Sequence, residues 1–312
     1  MKQGKIVVVM GGPSSEAEVS RRTGAAIVNA LESKGYAVEG MELDPPHFAE
    51  AIRKSDCAIV FNALHGRYGE DGVLQGTLDM LGIPYTGSGV LAAAVTMDKV
   101  MSKRVFLGAG ISTPRSETFH RFEFDAELPS RIRKAFSLPV VIKASSQGSS
   151  IGVAIVEKEE ELEAALRDAF RYDEEVLVEE FIRGKELTVA VWGDAREAQA
   201  FPVIEITTVS GRYDYVSKYT KGASTHIIPA RIPSEVTERV QQLAVDAFRA
   251  CGCRGVARAD MMLGEDMTPY VIEINSMPGM TETSLVPDAG RAMGVEFPEL
   301  CERILEMAGY EK

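Results

Sequence analysis

The side chains best suited to chemistry lie in two short segments, Arg258-Ala259-Asp260 and Glu273-Ile274-Asn275. Each falls in a strand-like run, Gly255–Leu263 and Pro269–Asn275, and alternate residues of a strand share a face. With the turn centred between Asp266 and Met267, the hairpin pairs Asp260 with Glu273 and Arg258 with Asn275. Its other face would hold Ala257, Ala259, Met261, Ile272 and Ile274, a core-like set. Two carboxylates and an amide on one face suit a hard, oxygen-seeking cation such as Mg²⁺ that bridges phosphates. The plainer alternative is a solvated face with an internal ion pair.

Other candidates are spread along the chain. Gln147-Gly-Ser-Ser-Ile-Gly152 lies between two strands, either as a simple connector or as a loop whose backbone N–H groups close over phosphates. Lys143, inside the apolar run before it, needs an anion. Lys99 opens a helix, where its charge opposes the macrodipole, so it is either a surface lysine or an anion ligand. Glu179, Glu180 and Glu186 cluster at the end of an apolar strand, facing solvent or reading an adenine and a ribose. Glu16, in the first turn of its helix, either steadies that terminus or holds a substrate ammonium. His65-Gly66-x-x-Gly69-Glu70-Asp71-Gly72 follows the carboxyl end of a strand, where parallel sheets bind ligands. His47, His120 and His226 have no patterned surroundings.

These residues need a scaffold. Lys5–Met10 is a buried parallel strand ending at Gly11-Gly12, and Ser15-x-x-Glu18 has the capping-box spacing for a helix running to about Lys34, with Gly35 as its C-cap. Tyr36–Leu43, Asp56–Asn62 and Ile83–Tyr85 read as strands, with a helix before Gly82. The expectation is a parallel α/β unit over residues 1–97. Helix 97–107 leads into a central unit, 98–185, with strands Pro139–Ala144, Ile151–Val156 and Val176–Phe181 and a charged helix over Glu159–Arg171. A third unit, 186–312, contains strands Leu187–Trp192 and Ala200–Ile206 and helix Ser234–Cys251. Its polar segment 207–229 lacks periodicity, and a loop that long is usually functional, such as a lid.

Bulk properties narrow the options. The chain has 312 residues, enough for two or three cores, and a formal net charge of −12, which argues against nucleic acid because phosphate binding needs a basic face. The four cysteines are too scattered for a disulfide framework, and Cys251-x-Cys253 lacks a second ligand pair for zinc. No signal-peptide pattern or membrane-length apolar run is visible, so the expectation is a cytoplasmic protein without a membrane partner. The strand–GG–helix opening lacks the G-x-G-x-x-G spacing of dinucleotide enzymes.

The motifs GGPSSEAEVS (11–20), HGRYGEDG (65–72), MDK (97–99), KASSQGSSIG (143–152), EEFIRGKELTV (179–189), YDYVSKY (213–219), GVARADMML (255–263) and EINSMPGMTETSLVP (273–287) together resemble the D-alanine–D-alanine ligases of the ATP-grasp superfamily. Ala144 stands where that family often has proline, and Glu282 where it often has histidine or serine. The resemblance implies an α/β (α+β) ATP-grasp fold, with an N-terminal parallel α/β domain followed by two ATP-grasp subdomains. It implies ATP-dependent joining of two D-alanines through an acyl phosphate, for peptidoglycan precursors. ATP would be held by Lys99, Lys143, Ser150, Glu179, Glu180, Ile182, Glu186 and Lys218. Two Mg²⁺, with Mn²⁺ as substitute, would be held by Asp260, Glu273 and Asn275. Glu16, His65, Ser284 and Leu285 would bind substrate, while Arg258 and the Gly279 N–H would stabilise the oxyanion. Glu16, Ser149 and Tyr219 would bond to one another across the closed lid. The resemblance also implies a homodimer. The rival readings are a ligase for another dipeptide or D-alanyl-D-lactate, and a non-catalytic nucleotide-binding module.

Overall fold

The computed structural model describes residues 4–148, 151–208, 223–281 and 284–310. The first sheet is parallel, in the order β2-β1-β3, with β1 at Lys5–Met10, β2 at Ala37–Glu42 and β3 at Ile59–Asn62. Alternation along β1 splits its side chains between two cores. Val7 and Val9 pack with Leu43, Ile52, Leu78 and Tyr85. Ile6 and Val8 point the other way, towards Ile27 and Leu31 of helix α1 (Ala17–Ser33). Helices α2 (Phe48–Lys54) and α3 (Val73–Leu81) connect the strands. The strand expected at 83–85 is only a bridge between Val60 and Tyr85, since Pro84 has no N–H to extend a ladder.

Two expected helix boundaries fall differently. The capping box at Ser15 and Glu18 does not form. Glu16 occupies the N-cap with no side-chain cap bond, and its own N–H donates to Ser14 Oγ at 2.9 Å. Ser14 takes over because its hydroxyl also donates to the His65 carbonyl, at 2.7 Å, and so fixes how the chain enters α1. The expected helix 97–107 forms as α5 (Lys99–Gly108), starting two residues later because a separate helix, α4 (Val90–Met97), ends just before Asp98. Asp98 is extended (ψ 108°), and its carboxylate accepts from the N–H groups of Val100 and Met101, capping α5.

The second sheet is antiparallel, in the order β4-β7-β5-β6: β4 is Ser116–His120, β5 Val140–Ala144, β6 Val153–Val156 and β7 Glu175–Glu180. Helices α6 (Leu128–Ala135) and α7 (Leu162–Ala169) cover one face, burying Val140, Ile142, Val176 and Val178 against Leu128, Ile132, Leu162 and Leu166. The opposite face, with Val141, Lys143 and Glu179, is left to the site.

The third sheet runs β11-β10-β8-β12-β13, with β9 (Gln199–Ala200) attached to β8. Its strands are β8 (Gly184–Gly193), β10 (Ile204–Thr208), β11 (Ser224–Ile227), β12 (Gly255–Gly264) and β13 (Pro269–Asn275). Helix α8 (Ser234–Ala250) packs Val240, Ala244 and Phe248 onto Val189, Val191, Ala257 and Ala259. The segment 207–229 is therefore not structureless at its ends, because β11 pairs with β10 in the register Glu205↔Ile227 to Thr208↔Ser224. Its β-branched Thr225 and Ile227 favour that pairing. The expected strand over Ala200–Ile206 divides into β9 and β10 around Pro202.

Helices α9 (Leu285–Ala292) and α10 (Phe297–Glu306) had no counterpart in the sequence reading. They carry Leu285, Val286, Leu300 and Ile304 into the core that also contains Ile6, Val8 and Ile27. No described helix is long and apolar enough to cross a membrane.

Glu205 of β10 is buried beneath Arg231, which it meets at 2.8 Å, and Lys185, at 2.9 Å. The hydrogen bonds from Arg231, helped by Lys185, hold its carboxyl down to about 2, from an ordinary 4.5. A depressed carboxyl stabilises the fold above its unfolded value, and that contribution is lost as the pH falls from about 4.5 towards 2. Glu205→Gln should cost about 1–2 kcal/mol at pH 7. The gap between urea melts of the two proteins should narrow below pH 4.5 and close only near pH 2, and a gap independent of pH would contradict the assignment.

Candidate functional site

The facing surfaces of the second and third sheets border an open cleft with about 980 Å³ of space, part of it continuous with solvent. Strand alternation explains its walls. Val141 and Lys143 of β5 and Glu179 of β7 point in from one side, while Glu186 of β8 and Asp260 and Met262 of β12 point in from the other. Glu180, Phe181 and Ile182 close the edge where β7 leads into β8. One region is apolar, lined by Val141, Val153, Ile155, Ile182, Met262 and Ile272, and a flat heterocycle suits it. Lys99, Lys143, Asp260 and Glu273 make the remainder polar.

The hairpin has the register expected from its turn, Asp260↔Glu273 and Arg258↔Asn275. Beyond that pair Met261 lies opposite Val271, so Ile272 is an extra residue on β13 and forms a bulge. The bulge turns Ile272 into the cleft, which corrects its expected place in the core. Ala257, Ala259, Met261 and Ile274 are buried on the core face.

Asp260 is gripped by Arg258, with Nε to Oδ1 at 2.7 Å and Nη2 to Oδ2 at 2.6 Å. Its Oδ1 also accepts from the Thr188 hydroxyl at 2.7 Å, across the β8–β12 ladder. Asn275 Oδ1 accepts from the Met277 N–H at 3.0 Å. Lys99 Nζ is 3.5 Å from Glu273 Oε2 and donates to the Gln147 carbonyl at 2.7 Å. Among the described residues, no three His, Cys, Asp or Glu side chains gather around a possible metal position. That is compatible with Mg²⁺, which commonly binds through one or two carboxylates, phosphate oxygens and water rather than in an all-protein cage. Asp260, Glu273 and Asn275 offer the hard oxygens such an ion takes.

Lys143 has its anion within the protein. The Glu179 carboxylate, 1% exposed, lies between Lys143 Nζ and Lys103 Nζ, the latter 2.6 Å from Oε1. Burial alone would push the Glu179 carboxyl up, but the two ammoniums more than reverse this and hold it below the usual carboxylate range. Burial lowers the Lys103 ammonium despite the same contact. Two cations against one carboxylate leave a unit of positive charge beside the cleft. Lys103 was missed by the sequence reading. Its only signal was the four-residue spacing from Lys99, which sets both on one helix face.

Two further groups stand apart from this cleft. Glu16 lies beside the Gly/Ser loop: a side chain at Gly148, or one at Gly66, would meet its Oε2 at 3.1 Å. His65 is 5% exposed, with Nε2 3.1 Å from the Thr23 hydroxyl and Nδ1 3.5 Å from Glu70. Burial raises the Glu70 carboxyl, against the opposing effect of His65. Thr23 and Glu70 were not foreseen as partners of His65. The second group is at α9. Ser284 is its N-cap, and Ser284 Oγ accepts from the Thr281 N–H at 3.0 Å and would lie 3.1 Å from a side chain at Gly279. Leu285 is a core residue, so only its main chain is available to a ligand. Ser149, Ser150, Lys218, Tyr219 and Glu282 lie outside the described residues.

The model of the D-Ala–D-Ala ligase C-terminal region matches residues 105–306, and that of the N-terminal region matches residues 37–88. The chain belongs to the D-alanine–D-alanine ligase family. The enzyme of that name from Desulforudis audaxviator is 49% identical over 97% of this chain and 98% of its own length. The crystal structure of the Bacillus anthracis D-alanine–D-alanine ligase complexed with ATP superposes with a TM-score of 0.84 at 34% identity, covering 98% of this chain and 97% of the other. The D-Ala:D-Ser ligase VanG of Enterococcus faecalis gives 0.83 at 31% identity, covering 98% and 99%. This ligase-family chain combines one parallel sheet with two antiparallel ones.

Lys103→Met leaves Glu179 with one partner and should lower the stability of the ligand-free protein by about 1–3 kcal/mol. Differential scanning calorimetry checks this, and an unchanged melting temperature would contradict the load assigned to Lys103.

Proposed function

We propose that the chain ligates two D-alanines to D-alanyl-D-alanine at the expense of ATP, with ADP and phosphate as by-products. The observation that carries the reading is the β12–β13 pairing. It gathers Asp260 and Glu273 in a cleft with an apolar region, with Lys99 3.5 Å from Glu273. ATP lies with its adenine between Met262, Ile272, Val141 and Ile155, beside Glu179 and the main chain of Glu180 and Ile182, and with its ribose at Glu186. Lys99 and Lys143 neutralise phosphate oxygens, joined by Ser150 and Lys218. Lys143 does so while shared with Glu179, and Lys103 keeps that carboxylate paired.

Asp260, Glu273 and Asn275 hold Mg²⁺, two ions with Mn²⁺ as a substitute, which screens phosphate charge when bound. The carboxylate of the first D-alanine attacks the γ-phosphorus, the bond to the β–γ bridging oxygen breaks, and ADP departs. The amine of the second attacks the acyl phosphate carbon, loses a proton and expels phosphate. Glu16 holds the first ammonium, with His65 and Glu70 beside it. Arg258, fixed in orientation by both oxygens of Asp260, donates to the oxyanion together with the Gly279 N–H. The N-cap of α9, with Ser284 Oγ and the Leu285 N–H, receives the second carboxylate. Tyr219 and Ser149 join Glu16 in excluding water from the acyl phosphate.

The same reading divides the chain into units 1–97, 98–185 and 186–312 with a lid at 207–229, and extends to a cytoplasmic homodimer supplying peptidoglycan precursors. Those points rest on family resemblance. The likeness to a D-Ala:D-Ser ligase makes the second substrate the point to test. With ATP and Mg²⁺, D-alanine alone should release one phosphate per dipeptide detected by mass spectrometry. Turnover only when D-serine or D-lactate is added would overturn the assignment. Glu273→Ala should reduce kcat on the order of 10³-fold while leaving the melting temperature within a few degrees. An unchanged rate would refute the metal reading.

A further inference from the structure

The loop after β5 leaves its strand through two consecutive serines that are held from opposite sides. Ser145 Oγ donates to Asp98 Oδ1 at 2.8 Å, the same oxygen that caps α5. Ser146 is held by Asp173, which lies in the turn between α7 and β7. The Ser146 N–H and its hydroxyl both donate to Asp173 Oδ2, at 2.8 and 2.5 Å, while Asp173 Oδ1 accepts from the Glu174 N–H at 2.8 Å. Main-chain bonds complete the mooring. Ser145 N–H donates to the Glu175 carbonyl at 3.2 Å, and Lys99 N–H donates to the Ser145 carbonyl at 3.0 Å. The next residue, Gln147, already belongs to the cleft, where its carbonyl receives Lys99 Nζ at 2.7 Å.

We propose that Asp173 is a positioning residue of the ligase reaction, setting the direction in which the phosphate-covering loop leaves β5 although it lies outside the cleft itself. The carbonyls of the turn that carries it accept from Arg121 and, at 3.5 Å, from Gln147 Nε2, and Asp is common in turns because its carboxylate bonds neighbouring N–H groups. Here only Oδ1 has that local use, on Glu174. Oδ2 is spent wholly on Ser146, 27 positions earlier in the chain. The bonds of Ser145 to Asp98, Glu175 and Lys99 fix that residue alone and leave the chain free to pivot beyond it. The Asp173 clasp one residue later removes that pivot. A loop moored at two adjacent residues has less conformational freedom to lose when phosphates arrive beneath it, so affinity and the exclusion of water both depend on the second mooring.

The inference rests on the ATP-dependent ligase reading, and its test separates the two. Asp173→Ala removes the clasp at an external turn. It should weaken binding of Mg²⁺ with a non-hydrolysable ATP analogue about tenfold by calorimetry, a change of about 1.4 kcal/mol. In the D-alanine assay it should release more than one phosphate per dipeptide, because water reaches the acyl phosphate. Asp173→Asn keeps a carbonyl oxygen at the Oδ2 position for both Ser146 bonds and should return within about twofold of the parent protein, since neutral acceptors retain much of the bond. Ser146→Ala should weaken binding in the parent but add nothing in the Asp173→Ala background. Unchanged analogue affinity with one phosphate per dipeptide in Asp173→Ala overturns the inference, whatever its melting temperature, as does an Asn variant as impaired as the Ala variant. If the parent protein makes no dipeptide from D-alanine, the ligase reading falls. The analogue affinities of the parent, Ala and Asn proteins still decide whether Asp173 orients the loop.

Discussion

A carboxylate that is 1% exposed within an apolar sheet has to be neutralised, and Glu179 sets the arrangement around it for that reason. Lys143 approaches it diagonally from the neighbouring strand, and Lys103 reaches in from α5. The charge balance therefore docks α5 onto two strands that follow it in the chain, β5 and β7. Lys103 also donates to the Pro114 carbonyl at 2.6 Å, which pins the segment leading into β4. Because Lys99 is one turn earlier on the same helix, fixing Lys103 fixes the height at which Lys99 enters the cleft. The position of Lys99 in the cleft follows from a charge requirement imposed at Glu179.

The third sheet solves a comparable problem with a different device. Arg258 and Asp260 satisfy one another in a two-toothed contact, and Thr188 fixes the remaining freedom of the carboxylate. This keeps an arginine and an aspartate preorganised on a rigid strand rather than on a loop. The bulge at Ile272 then adds apolar wall beside Glu273 without disturbing the core face, where Ala259 and Ile274 continue the buried layer.

Much of this was readable in the chain. The hairpin register followed from a short turn and a strand period of two, and both are local properties. The parallel strands of the first sheet, the strands flanking the Gly/Ser loop and the lysine that needed an anion followed in the same way, whereas β4 and β11 were not expected. What escaped was set by distant contacts. Nothing local marks Ile272 as an extra residue, since neither glycine nor proline is present there. The capping box at Ser15 lost to a tertiary bond from Ser14 to the His65 carbonyl. Lys103 reads as one more polar residue of KVMSK until Glu179 is known to lie beside it. The anion expected for Lys143 was there, but it is a side chain of the same protein. Helices α9 and α10 were passed over, and they belong to a core shared with the opposite end of the chain.

That shared core has a consequence for how the molecule is made. Ile6, Val8, Ile27 and Leu31 bury their surface against Leu300, Ile304 and Leu305, and the Tyr85 N–H donates to the Gly309 carbonyl at 2.9 Å. One face of the first sheet is thus completed by helices that are synthesised long after it. During vectorial synthesis the amino-terminal unit must wait, with an apolar flank uncovered, until the carboxyl-terminal helices leave the ribosome. Its closure joins residues as far apart as Ile6 and Leu305, a non-local contact of the kind that forms slowly. A chain released early lacks the helices that complete this face, so shortened products are left in a state that chaperones and proteases recognise.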